Sequence, residues 1–279
     1  MRIVCGGSSD VGRVRSNNED SYRIVAPLNL FVLSDGMGGE AHGEVASALA
    51  VETVAGHCLE AQIDQNAPLF GEPVVGWSER TKRLVSAVHL ANQNIYASAK
   101  EHEEQQGMGA TLSAVWIEGE RMSVAHVGDS RVYLLRMGGL HQLTNDHSLV
   151  AEQVRRGILT LAEAEQSEMQ SVLLRALGTQ AEVEVDTDEH ALIARDVLLI
   201  CSDGLTRMVT EPEIAGTLQA ETDPQQAAEK LVQLANENGG ADNITVIVVR
   251  LDSEAKGLFS WLRGSARKTG SNGDAGGDA

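Results

Sequence analysis

Cysteine is scarce in this chain of 279 residues: only Cys5, Cys58 and Cys201 occur, far apart and without a CxxC spacing. That excludes a disulfide framework and a cysteine-based zinc site, and buried free thiols in a reducing compartment are expected. Aromatic residues are equally few, three each of Trp, Tyr and Phe, too few for a platform that stacks single-stranded bases. Basic residues are outnumbered, 22 Lys and Arg against 40 Asp and Glu, for a net charge of -18. A nucleic-acid backbone demands a basic footprint, so no nucleic-acid partner is expected. No apolar run approaches the roughly 20 residues of a membrane helix. The opening Met1-Arg2-Ile3-Val4-Cys5-Gly6-Gly7 is too short in apolar residues for a secretory signal. These absences predict a cytoplasmic protein with no integral membrane segment.

What the chain does have is a 42% hydrophobic content, enough for a sizeable core. Short β-branched runs at 30–33, 111–117, 122–127, 131–135, 197–201 and 244–251 are bounded by Gly, Asp, Asn or Ser, which predicts strands. Helical spacing links Ala46, Leu49, Ala50 and Val54; then Leu84, Val88, Ala91 and Ile95; then Ala228, Leu231, Val232 and Ala235. Gly239-Gly240 would stop the third helix. The order is a helix pair, a cluster of strands, then more helix. That departs from βαβ alternation and predicts an α+β fold of antiparallel sheets with helices outside. Residues 1–252 read as one catalytic domain. Within it, the polar stretch at about 148–181 is helix-prone at 151–156 and 161–170 and reads as an inserted subdomain or lid, or as a surface helical hairpin. Beyond it, 257–263 form a short apolar patch, and 265–279 form a polar tail expected to be disordered.

One local pattern occurs twice: an apolar run enters Ser34-Asp35-Gly36 and again Ser202-Asp203-Gly204. Singly, each Asp-Gly reads as a turn. More acids stand at other strand edges: Asp242 before the run at 244–251, Asp129 between two runs, and Glu19-Asp20 near the start. Carboxylate and carbonyl oxygens without His or Cys partners suit hard cations, Mg²⁺ or Mn²⁺. Converging carboxylates would otherwise repel one another, so convergence requires metal.

In order along the chain stand Ser9-Asp10-Val11-Gly12 with Arg15 and Asn18-Glu19-Asp20, then Ser34-Asp35-Gly36-Met37-Gly38-Gly39, then Gly109-Ala110-Thr111. There follow Val127-Gly128-Asp129-Ser130-Arg131, Leu143-Thr144-Asn145-Asp146-His147-Ser148, Arg175-Ala176-Leu177-Gly178, Cys201-Ser202-Asp203-Gly204-Leu205 and Gly240-Ala241-Asp242-Asn243. This series, spanning about 8–250, resembles the protein phosphatase 2C family of metal-dependent PPM phosphatases, in its compact bacterial branch. The resemblance implies a sandwich of two antiparallel sheets with helices on both outer faces and an inserted flap. It also implies hydrolysis of phosphoserine and phosphothreonine by a metal-activated water, opposing a Ser/Thr kinase, with phosphorylated proteins as substrates and a monomeric state. Asp35 would bridge two ions, Asp203 and Asp242 would bind one of them, and the Gly36 carbonyl the other. Asp129 with Asp203 would hold a third, weaker ion. Glu19 and Asp20 would steady metal-bound waters, and Arg15 would grip the phosphate. Many eukaryotic members carry His where Met37 stands, which leaves the proton donor unassigned. A small-metabolite phosphohydrolase and an inactive sensor module are the alternative functions.

Overall fold

Alternate residues of the central strands are buried on opposite sides, and that alternation builds the fold. The structure, a computed structural model, describes residues 1–38, 42–64, 66–71, 75–164 and 166–252. Strands β1 (Arg2–Asp10), β2 (Asp20–Val25) and β3 (Leu30–Met37) precede two long helices, α1 (Gly43–Ile63) and α2 (Glu79–Glu101). Then come β4 (Gly109–Ala110), β5 (Leu112–Glu118), β6 (Arg121–Val127), β7 (Arg131–Arg136) and β8 (Gly139–Gln142). After α3 (Leu149–Arg155) and α4 (Leu161–Ala164) follow β9 (Asp186–Ala191) and β10 (Val197–Cys201). The described chain closes with α5 (Asp203–Thr206), α6 (Glu211–Ala220), α7 (Pro224–Glu237) and β11 (Ile244–Asp252). The apolar patch at 257–263 and the tail at 265–279 lie outside the described residues.

Two antiparallel sheets result, ordered β1-β11-β10-β7-β8 and β2-β3-β5-β6-β9, with β4 paired to β3. On β3, Phe31 and Leu33 point into the space between the sheets, while Leu30 and Val32 point to the cluster shared with α1 and α2. On β11, Ile247, Val249 and Leu251 face inward, and Ile244, Val246 and Val248 pack with α6 and α7. Strands covered on both faces need apolar residues at every position, which is why their runs are continuous rather than alternating. The layers are therefore helix, sheet, sheet, helix, as expected of an α+β sandwich. The helices follow their predicted faces: Leu84, Val88, Ala91 and Ile95 are fully buried on α2. Helix α7 stops where Gly239 and Gly240 take positive φ of 126° and 51° and the Gly240 N–H caps the Ala235 carbonyl.

Strands β1, β2, β8 and β9 were not legible as apolar runs. All lie at or next to sheet edges. The outer strand β9 reads Asp186-Thr187-Asp188-Glu189-His190-Ala191, charged in the way that blocks edge-to-edge pairing. In β1, Gly6 and Gly7 look like strand breakers, but both are dictated by close approach. A Cβ on Gly6 would stand 2.4 Å from the backbone of Gln225 on α7, and one on Gly7 would stand 2.6 Å from the Tyr22 ring. The helix predicted at 161–170 shortens to Leu161–Ala164, because it has no buried face there: Leu161 and Met169 are exposed.

The register sets the functional end. Asp20 pairs with Asp35 across β2 and β3, Leu112 with Val127, Arg131 with Cys201, and Asp10 with Ile244. The ends of β1, β3, β6 and β10 and the starts of β2, β5, β7 and β11 thus gather at one end of the sandwich.

Gly6→Ala tests the packing of α7 on β1. A clash with rigid backbone is expected to cost about 1–3 kcal/mol, read as a lowered midpoint of denaturant unfolding. An unchanged midpoint would show that α7 is free to shift outward.

Candidate metal centre

At the gathered strand ends lies a cavity of about 660 Å³. Asp35, Asp129, Asp203 and Asp242 all line it, together with Arg15, Glu19 and Gly36. Of the sequence-predicted site residues only Asp20 is absent from the lining. It is buried behind the cavity wall, where its Oδ2 accepts a 2.8 Å hydrogen bond from Ser202 Oγ.

Each acid is fixed by its neighbourhood. Asp35 closes the apolar part of β3, and its N–H donates to Thr111 Oγ1 at 2.9 Å while its carbonyl accepts from the Thr111 N–H at 2.8 Å. Thr111 Oγ1 also shares a 2.7 Å hydrogen bond with Ser130 Oγ, the residue after Asp129. Asp203 begins α5 directly after Ser202. Asp242 accepts from the Asn243 N–H at 2.9 Å through Oδ1 and from Arg15 Nη2 at 2.9 Å through Oδ2.

The glycine after Asp35 is required by the close approach of neighbouring backbone. A Cβ on Gly36 would stand 2.0 Å from the Gly43 carbonyl oxygen at the start of α1 and 2.7 Å from that of Glu19. Gly36 therefore lets three backbone segments meet. Its N–H donates to the Glu19 carbonyl at 3.0 Å. Gly204 plays the same part, since its Cβ would stand 1.9 Å from the Asn243 carbonyl oxygen.

Crowding shows in the protonation of the acids. Burial, then the charges of Asp20, Asp203, Asp129 and Asp242, hold the Asp35 carboxyl well above the usual carboxylate range. Burial pushes Asp129 up to about 8, helped by Asp203 and Asp146 and opposed by Arg207 and Arg131. Burial likewise pushes Asp20 up to about 7, against hydrogen bonds from Thr245 and Ser202. Asp203 is raised by burial and by Asp242, against the Arg207 charge. Glu19 is raised by burial and by Glu44. Burial disfavours the Arg15 charge, but its hydrogen bond and attraction to Asp242, with Glu19 and Asp35, outweigh this and raise its pKa.

Among the described residues, no three of the His, Cys, Asp and Glu side chains already stand in a coordinating cluster. Guanidiniums pair with these carboxylates instead: Arg15 with Asp242, and Arg207 with Asp203 at 2.5 Å. The residues nevertheless fit hard divalent cations. Every donor is an oxygen. Asp20 Oδ1 and Asp203 Oδ1 are buried without any hydrogen-bond partner, a costly state for a carboxylate.

Two organising residues escaped the sequence argument. Asn243 is buried and bonds four ways. Its Oδ1 accepts from the Glu19 N–H at 2.8 Å, its Nδ2 donates to the Val11 and Asn17 carbonyls at 3.0 and 2.8 Å, and its N–H reaches Asp242. It clips the loop bearing Arg15 and Glu19 to the strand bearing Asp242. Its place beside Asp242 in the Gly240-Ala241-Asp242-Asn243 motif was the available signal, and it carried no role. Arg207 was the other, marked only by its spacing of four from Asp203 on a helical turn. Away from the cavity, Asp146 binds Arg131 through both oxygens, which makes it an anchor of the loop before 148–181. His126 is an interior side chain bonded to Ser113 and to the Asn145 carbonyl.

A family model described as protein phosphatase 2C matches residues 12–243. The serine/threonine phosphatase stp of Listeria monocytogenes is 37% identical over 252 residues, covering 89% of this chain and 96% of that protein. The serine/threonine protein phosphatase PstP of Mycobacterium tuberculosis is 39% identical over 240 residues, 86% of this chain and 43% of its own length. Among solved structures, the catalytic domain of PstP in complex with two manganese ions superposes with a TM-score of 0.76 at 37% identity, over 90% of this chain and 99% of that one. With the layered sandwich and the aspartates gathered at its one end, these likenesses place the chain in the protein phosphatase 2C family, among its bacterial members.

Proposed function

We propose that this chain hydrolyses phosphoserine and phosphothreonine in proteins at the aspartate-lined cavity, opposing a Ser/Thr kinase. The observation that carries the reading is the meeting of Asp35, Asp129, Asp203 and Asp242 with Arg15 on one cavity. Asp35, Asp203 and Asp242, with the Gly36 carbonyl, would hold two Mg²⁺ or Mn²⁺ ions, and Asp129 with Asp203 a third, weaker one. Glu19 and Asp20 would stand one shell out, Asp20 held by Ser202. When bound, such ions supply a Lewis acid that lowers the pKa of water and offsets charge on the phosphoryl oxygens.

The chain's own residues do the rest. Arg15 is half-exposed, 52% at its side chain, so it can turn from Asp242 to a phosphate entering the cavity. Its planar fork can hold two phosphoryl oxygens at once, which a lysine cannot. Asn243 fixes the loop from which Arg15 reaches, so the guanidinium is aimed before substrate arrives. Met37 lines the cavity and offers no proton, and among the described residues no hydroxyl or thiol lining it is hydrogen-bonded to a histidine or carboxylate. Ser34 Oγ donates to the Thr111 carbonyl and Ser130 Oγ is tied to Thr111. Attack by water, without a phosphoenzyme, follows. The 148–181 segment contributes Ser171 and Leu173 to the rim and is proposed as the flap that meets the substrate protein. Residues 1–252 would make up the catalytic domain.

Turnover of a phosphothreonine peptide is expected to require Mn²⁺ or Mg²⁺ and to vanish on chelation. Asp35→Asn and Asp242→Asn should each lower it by about a hundredfold or more with an unchanged circular dichroism spectrum; full activity of either variant would remove that residue from the centre. Asn243→Ala should cost about 1–3 kcal/mol of stability and raise KM for the peptide, since Arg15 loses its anchor. A rise in neither quantity would deny the clip its role.

Stability against pH gives a test that needs no substrate. In chelator, unfolded aspartates titrate near about 3.9, whereas Asp20 and Asp129 in the fold titrate at about 7 and about 8. The fold thus favours their protonated forms. Their contribution is complete below the unfolded value and is lost as pH rises through the folded ones. The thermal midpoint in chelator is expected to fall as pH climbs from about 5 to about 8, and saturating Mn²⁺ should flatten that fall. Parallel curves with and without Mn²⁺ would count against cations at these acids.

A further inference from the structure

Arg207 takes no part in the chemistry above, yet it is the side chain that engages the acids most closely. It caps α5 one turn after Asp203. Its Nη2 lies 2.5 Å from Asp203 Oδ2, and its Nη1 lies 3.6 Å from Asp242 Oδ2. The side chain lines the cavity and is only 26% exposed. Asp242 Oδ2 therefore has a guanidinium from Arg15 at 2.9 Å and a second from Arg207. The other oxygen of Asp203, Oδ1, is buried with no hydrogen-bond partner.

This pairing resolves the electrostatic problem of the cluster in one particular way. A guanidinium stays charged at every physiological pH, so it offsets buried carboxylates permanently. It also occupies an oxygen that a divalent ion would use. Two cations on one carboxylate oxygen repel each other, and beside side chains as little exposed as Asp203 and Asp242, at 13% and 19%, that repulsion is screened less than in bulk water. An ion that takes Asp203 Oδ2 or Asp242 Oδ2 has to displace Arg207 or share that oxygen with it, and either costs affinity. Lysine at this place could meet one carboxylate but not fork toward two.

We propose that Arg207 is an internal counter-ion of the centre: it holds Asp203 and Asp242 in the metal-free protein and competes with the ion those residues would bind, so it sets the metal concentration at which the centre assembles. The proposal rests on the reading of Asp203 and Asp242 as metal ligands. It makes Arg207 a positioning residue, acting through two carboxylates and not on the substrate.

The test is calorimetric titration of Mn²⁺ alone into the chelator-stripped full-length chain, as wild type, Arg207→Gln and Arg207→Lys. The glutamine variant is expected to bind Mn²⁺ at one site at least about tenfold more tightly than wild type, with the lysine variant in between. In chelator the glutamine variant should unfold at a lower temperature than wild type, and the gap should narrow at saturating Mn²⁺. Equal affinities in all three proteins, or weaker binding by the glutamine variant, would overturn the proposal while leaving the metal centre in place. No Mn²⁺ binding by the wild type would overturn the ligand assignment itself and the proposal with it. Should the stripped glutamine variant fail to stay folded, competition between the Mn²⁺-loaded protein and a metallochromic chelator gives its affinity without a metal-free state, and the same tenfold criterion decides.

Discussion

The mutual repulsion of carboxylates at one end of the sandwich is the constraint around which the rest of the molecule is arranged. Asp20 and Asp129 are buried there and Asp35 and Asp203 partly so, and each is held above its ordinary pKa by burial and, in every case, by neighbouring acids. No chain gathers such groups without a positive counterpart. Two arginines supply it in the protein alone, Arg15 from the loop between β1 and β2 and Arg207 from the end of α5. Divalent cations supply it in the proposed working state. In the proposed working state the same residues would exchange one set of partners for the other.

Holding like charges together also demands a stiff frame. The two sheets provide it, because their core strands are apolar on both faces and interdigitate with helices outside and with each other inside. At the functional end small polar residues replace much of that packing. Ser34, Thr111, Ser113, Ser130 and Ser202 are all buried, and each spends its hydroxyl on a neighbouring strand end or acid. These bonds are short-range and directional, so they fix where each aspartate emerges in a way that apolar packing would not. The glycines serve the same end from the backbone side. Gly36 and Gly204 allow Asp35 and Asp203 to sit against segments that any side chain would push away.

The inner half of the fold was legible because physics writes it in composition: strands covered on both faces must be apolar throughout, and helices on a sheet must be apolar at a helical period. The outer half was not. Edge strands such as β1 and β9 bury little, carry charge, and in β1 include glycines whose meaning appears only once Gln225 and Tyr22 are seen against them. The aspartates were legible through recurrence and order. Singly, each looked like a turn residue, and for Asp203, which opens a helical turn, and Asp129 and Asp242, which sit beside strand ends, the structure explains why; Asp35 instead lies within β3, which stays paired through Met37. Asn243 and Arg207 were illegible for a different reason. Their roles lie in contacts across the chain, 224 residues apart between Asn243 and Glu19, or in a choice among partners that spacing alone does not specify.

Charge on the whole molecule and charge in the site pull in opposite directions, which bears on how substrate is chosen. A chain of net charge -18 repels a phosphoprotein at long range. Yet salt confines such fields to about 8 Å at physiological ionic strength. Recognition must therefore be decided within the cavity and at its rim. There, Arg15 is the exposed cation and Ser171 and Leu173 are the neighbours contributed by the 148–181 segment. A cavity whose own acids are neutralised by bound cations becomes attractive to a dianion over that short range only. The phosphate is then held by the centre, and discrimination among phosphoproteins falls to the surface around it. The same segment also exposes Ile158, Leu161, Met169 and Leu174, side chains that no core requires.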